Sequence, residues 1–132
     1  MQPDKFRVPY GKSTIEFNIP ASARTTVVGS RLAEPLPDPQ KAVVKALAHP
    51  IGSPPLREIA RAGNRVCIVF TDITRSSPDH LLVPALLDEL RIAGVREDDV
   101  TLLCGIGMHR PSTYEEKVAK TGRRGRRSLS CH

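Results

Sequence analysis

Residues 65–70 read Arg-Val-Cys-Ile-Val-Phe, and residues 100–104 read Val-Thr-Leu-Leu-Cys. Both runs are apolar, of strand length, and the first is rich in β-branched residues. Between them Ser77-Pro78 opens a helical pattern, LLVPALLDELRIA over residues 81–93, that Gly94 closes. Pro84 inside that pattern predicts a kink or a break. After the second run, Ser112 and Thr113 each have a glutamate three residues on, Glu115 and Glu116, so two capping boxes are available for a last helix.

Strand, loop, helix, strand, loop, helix is a βαβα order, and it predicts a parallel pair joined by a right-handed crossover. Runs that are apolar on both faces predict a sheet with helices on both faces. The fold class expected is therefore α/β, a Rossmann-like parallel unit.

Upstream, Phe6, Val8 and Tyr10 alternate, Gly11-Lys12 offers a turn, and Ile15, Phe17 and Ile19 alternate again. This predicts an N-terminal β-hairpin over residues 6–19. A further short strand is expected at residues 25–28. Pro35, Pro37 and Pro39 make a rigid loop, after which Asp38 caps a helix whose first residue is Pro39 and which ends at His49-Pro50. Ser53-Pro54 predicts a second short helix over residues 56–60, stopped near Gly63.

A chain of 132 residues suits one compact domain. The expected organisation is one domain over residues 1–120 and a disordered basic tail over 121–132. The net charge of +6 is local: from Lys117 onward there are six basic residues (Lys117, Lys120, Arg123, Arg124, Arg126, Arg127) and no acidic ones. The rest balances, so the charge says little about the folded body. Aromatic residues are only 4%, which leaves few platforms for stacking bases or sugars. No stretch reaches the roughly 18 apolar residues of a membrane helix, and the amino terminus lacks the apolar run of a secretory signal. Three scattered cysteines, Cys67, Cys104 and Cys131, form neither a disulfide framework nor a CxxC pair. A cytoplasmic protein with reduced thiols is expected, with no membrane and no nucleic acid as partners.

In an open parallel sheet, ligands bind beyond the carboxyl ends of the strands. That rule selects residues 71–78, Thr-Asp-Ile-Thr-Arg-Ser-Ser-Pro, and residues 105–111, Gly-Ile-Gly-Met-His-Arg-Pro. If the strands are neighbours, Asp72, Arg75 and His109 emerge at one edge. Arg75 suits a bidentate grip on a planar carboxylate, and His109 suits proton exchange near neutrality. Ser77 and the first amides of the next helix suit an anion, and Gly105 and Gly107 permit close backbone approach. Each has a structural alternative: Asp72 as a turn former, Arg75 as a solvated surface group, His109 as an ordinary loop residue. No histidine pair has metal-ligand spacing, and no metal ligand is assigned. The residues taken alone support a small anionic ligand in an α/β crevice.

Four strings in order go further: Tyr10-Gly-Lys, His49-Pro-Ile-Gly-Ser-Pro-Pro-Leu56, Thr71-Asp-Ile-Thr-Arg75 and Gly107-Met-His-Arg-Pro111. With them the chain, over about residues 6–120, resembles the amino-terminal domain of the nickel-dependent lactate racemase family. The resemblance implies an isomerase of lactate or another 2-hydroxy acid. It implies as cofactor the nickel pincer, a nickel pyridinium-3,5-bisthiocarboxylate mononucleotide that takes hydride from C2 while a histidine removes the hydroxyl proton. By the same resemblance His109 is the first of two catalytic histidines, Asp72, Ile73, Thr74 and Arg75 contact the cofactor, and Arg75 orients the substrate. Asp72 is expected to fix the cofactor or Arg75. Met108 stands where the family commonly has Thr, and Ser76-Ser77 replaces a turn that more usually contains Pro.

Family members are about three times longer. The second histidine, the lysine that anchors the cofactor and the nickel-ligating histidine are expected beyond residue 132, so the fragment is expected to be inactive alone. The abrupt change to TGRRGRRSLSCH suggests an altered reading frame or a truncated one. Two other functions fit the residues: a non-catalytic α/β module for a nucleotide or small carboxylate, and nucleic-acid binding through the arginine tail.

Overall fold

The computed structural model describes residues 5–122. Lys5–Tyr10 (β1) and Ser13–Asn18 (β2) form the expected antiparallel hairpin, with Phe6 opposite Phe17 and Val8 opposite Ile15. Its two-residue turn begins at Gly11, whose φ of 60° glycine adopts without steric cost. The Phe6 and Phe17 rings stack with centroids 6.0 Å apart. Glu16 pairs with both Lys5 and Arg7 across the strands. Residues 25–28, expected as a strand, are irregular. A β-branched run alone does not make a strand, because its backbone groups need a neighbouring ladder.

The described residues divide between Pro35 and Leu36 into two compact units, the hairpin belonging to the first. The second begins with the helix Pro39–Ala48 (α1), where the Asp38 side chain accepts from the Lys41 amide at 2.9 Å and Pro39 takes the first helical position. The short helix Leu56–Ile59 (α2) follows, starting where expected and ending one residue earlier, without a side-chain cap.

The strand Val66–Thr71 (β3), the helix Asp79–Ile92 (α3), the strand Val100–Gly105 (β4) and the helix Tyr114–Thr121 (α4) realise the βαβα order. The two strands pair in parallel, from Val66 opposite Val100 to Thr71 opposite Gly105. Of the two capping boxes, Thr113 with Glu116 forms. Pro84 does not break α3, which runs through it without interruption. Packing against the rest of the unit outweighs the lost hydrogen bond, and Gly122 lies close enough that a Cβ there would meet Pro84 Cγ at 3.6 Å.

The core consists of Ala60, Phe70, Val83, Leu90, Val95, Val100 and Leu102, flanked by Leu56, Val66, Ile68, Leu87, Ala93 and Cys104. A Val, Leu, Ile or Phe side chain contributes roughly 1.5–3 kcal/mol when fully removed from water. Burial in the sheet is one-sided. Val66, Ile68 and Phe70 face the helices, whereas Cys67 is exposed, Val69 is 64% exposed and Leu103 44%. The helical cover expected on both faces is therefore present on one among the described residues. Helices α1, α2 and α4 all pack against α3, the crossover helix, and so gather on its side. Beneath them Arg57 of α2 grips buried Glu89 of α3 with two hydrogen bonds of 2.7 and 2.6 Å.

Candidate functional site

Because Thr71 lies opposite Gly105, the loops that follow β3 and β4 leave the sheet from adjacent rungs. Asp72 is the first residue beyond β3 and is 3% exposed. Its Oδ1 accepts hydrogen bonds from the Thr74 amide at 2.8 Å and the Thr74 hydroxyl at 2.5 Å, closing a tight turn. The other oxygen, Oδ2, lies 2.5 Å from Nδ1 of His109. Hydrogen bonds from the Thr74 side chain, then from His109, prevail over the cost of burial and hold the Asp72 carboxyl well below the usual carboxylate range.

An ionised carboxylate only accepts hydrogen bonds, so Nδ1 of His109 carries the proton. In the neutral ring the lone pair then resides on Nε2. The imidazole is half-exposed, with 44% of its side-chain surface accessible. A turn places it there: the His109 amide donates to Ile106 O at 3.0 Å, and Gly107 at the first central position has φ 56°. Glycine at 107 thus serves the turn. Glycine at 105 serves strand packing, since a Cβ would meet Val69 Cγ1 at 3.3 Å. Met108 at the turn tip is fully exposed.

The sequence brought Asp72, Ile73, Thr74, Arg75 and His109 forward, and all five lie on these two loops. The structure joins Asp72, Thr74 and His109, with Thr74 Oγ1 at 3.4 Å from His109 Nδ1. Asp72 holds His109 and not Arg75: the Arg75 guanidinium makes no hydrogen bond or ion pair among the described residues. Arg75 and Ile73 are both exposed at the loop surface. Arg110, next to His109, is turned to Glu116 of α4 at 2.9 and 2.6 Å.

The anion seat expected at the start of α3 is filled from within. Asp79, 5% exposed, accepts from the Thr71 hydroxyl at 2.5 Å and from Ser77 Oγ at 2.9 Å, and pairs with Lys120 Nζ at 2.9 Å. Burial opposes its ionisation, but bonds from Thr71, Lys120 and Ser77 outweigh it and keep the carboxyl below its ordinary value. Lys120, counted by sequence with the basic run, is thus a buried ion-pair partner, and neighbouring Thr121 closes α4 fully buried. Neither Asp79 nor Lys120 was recognised as part of the site. The one signal for Asp79 was an acidic residue in the first turn of a helix; Lys120 carried none. The remainder of the basic run, Arg123 onward, lies outside the described residues.

A family profile described as lactate racemase N-terminal domain matches residues 10–131. The chain belongs to this family. It is 35% identical over 122 residues to the lactate racemase of Lactiplantibacillus plantarum, covering 87% of this chain and 27% of that protein. With the lactate racemase of Thermoanaerobacterium thermosaccharolyticum it shares 32% identity over 117 residues, with the same coverages. The solved lactate racemase apoprotein of T. thermosaccharolyticum superposes with a TM-score of 0.66 at 31% identity, over 91% of this chain and 27% of that one. The chain therefore spans about a quarter of the length of these relatives, and the matched part is their N-terminal domain. No helix among the described residues is long and apolar enough to cross a membrane.

Proposed function

We propose that this chain supplies the proton-handling and carboxylate-holding half of a racemase site for lactate or a related 2-hydroxy acid, acting with protein outside these 132 residues. The observation that carries the proposal is the Asp72–His109 pair across adjoining loops, with Arg75 bonded through its amide to the Asp72 carbonyl on the same loop. Inverting a 2-hydroxy acid at C2 by hydride transfer calls for a base at the hydroxyl and a hold on the carboxylate. His109 Nε2, with its tautomer set by Asp72, suits the base; it takes the hydroxyl proton and returns it to the product. The guanidinium of Arg75, which has no partner among the described residues, suits the carboxylate.

Hydride must move as the proton leaves, and neither His109 nor Arg75 can accept it. When bound, a nickel-pincer nucleotide would supply that acceptor. The exposed Ile73 and Arg75 side chains are groups of the loop available to contact a flat anionic nucleotide. The phosphate would not sit at the start of α3, where the Asp79 carboxylate already lies. Among the described residues no three His, Cys, Asp or Glu gather as a metal-ligand group. Free Cys67 and Cys104 suit the reducing cytoplasm.

A chimaera tests the proposal: this chain replaces the matched quarter of the L. plantarum lactate racemase, and conversion of L- to D-lactate is followed. The chimaera should racemise. His109→Ala within it should slow turnover by roughly 10²–10⁴-fold at unchanged cofactor content. Near-normal turnover of the variant would remove His109 from proton transfer.

A further inference from the structure

The ammonium of Lys120 is 8% exposed at the residue level and meets three oxygens: Arg75 O at 2.9 Å, Ser77 O at 2.9 Å and Asp79 Oδ2 at 2.9 Å. An ammonium has three N–H donors, so none is left for solvent or substrate. Asp79 in turn accepts from the Thr71 amide and hydroxyl with Oδ2 and from Ser77 Oγ with Oδ1. One carboxylate therefore holds both ends of the loop between β3 and α3. One ammonium, reaching from α4 across a sequence separation of 45 residues, holds the loop at Arg75.

We infer that Lys120 and Asp79 are positioning residues that set the backbone path of residues 72–78 and so aim Arg75 and Asp72 at the substrate. The inference rests on the reading of Asp72, Arg75 and His109 given above. Stability alone does not account for the pair. Desolvating two charges cancels most of their attraction, and a packed apolar pair would serve the core as well. An apolar pair cannot, however, donate hydrogen bonds to the two loop carbonyls of Arg75 and Ser77 at once. Among the described residues Arg75 has no side-chain partner to orient it, so its direction follows from its backbone, which Lys120 holds. Asp72 is reached through the same loop, and His109 through Asp72.

Amide hydrogen exchange on the full 132-residue chain tests this. The reporters are the Thr74 and Arg75 amides, bonded to the Asp72 side chain and carbonyl, and the reference is the buried Val95 amide, bonded to Leu90 O at 3.0 Å. Lys120→Met should speed exchange at Thr74 and Arg75 by about tenfold or more relative to Val95. Because that variant strands a buried carboxylate, the double variant Lys120→Met, Asp79→Asn is measured beside it and should show the same local loss. Equal change at all three amides, or failure of both variants to fold, would make the pair a stability element and overturn the inference. Oxalate, a planar dicarboxylate probe, is then titrated against the wild-type chain and the double variant while the Arg75 and His109 side-chain resonances are watched. Weaker binding to the variant by about tenfold supports positioning, and equal binding overturns it. Unmoved resonances in the wild type would instead sink the functional reading, leaving the pair supported by exchange as the device that shapes the loop.

Discussion

The imidazole of His109 and the carboxylate of Asp72, 37 residues apart in sequence, meet at 2.5 Å across the ends of two parallel strands. The carboxylate is buried and the ring is half-exposed, so the pair presents one imidazole nitrogen outward and keeps the other occupied. That asymmetry is what converts an ordinary loop histidine into a base of defined direction.

Asp72→Asn should therefore leave the fold intact and damage the chemistry. An amide in place of the carboxylate can present its NH₂ group to Nδ1, which favours the opposite tautomer and puts the proton on Nε2. In the chimaera, turnover should fall by roughly 10²–10⁴-fold while the circular dichroism spectrum is unchanged. Unaltered turnover would show that the tautomer of His109 does not matter.

Arg75→Lys keeps the charge and loses the planar two-donor fork. The KM of the chimaera for lactate should rise by about tenfold, with a smaller effect on kcat. A KM equal to that of the parent chimaera would assign carboxylate binding to another residue.

The acid side of the stability profile follows from carboxylates that ionise more readily folded than unfolded. Hydrogen bonds from Arg110, then from the Thr113 amide, bring Glu116 from an ordinary 4.5 down to about 2. The unfolded chain binds the proton first as pH falls, so this contribution is complete above the unfolded value and disappears on descending toward the folded one. The thermal midpoint should drop between pH 4.5 and about 2, and Glu116→Gln should lessen that drop while lowering the midpoint at neutral pH. Parallel profiles for the two proteins would dissociate Glu116 from the acid response.

Sequence alone determined the hairpin and the order of strands and helices in the second unit, because each has its own local pattern, while the strand expected at residues 25–28 did not form. Alternation and a glycine turn set the hairpin, Asp38-Pro39 the start of α1, two short apolar runs the strands, and Thr113 with Glu116 the start of α4. It also marked both site loops, since ligand loops follow parallel strands at their carboxyl ends. Which faces are covered was not legible: an apolar run such as residues 65–70 reads the same whether one side or two are buried. Only the tertiary structure decided that Asp72 serves His109, that Asp79 fills the seat at the start of α3, and that Lys120 leaves the basic run to join it. Those choices are made by side chains brought together across dozens of residues, and local propensity has no reach over such separations. Chain pattern placed the loops; the parallel register of β3 and β4 chose the partners.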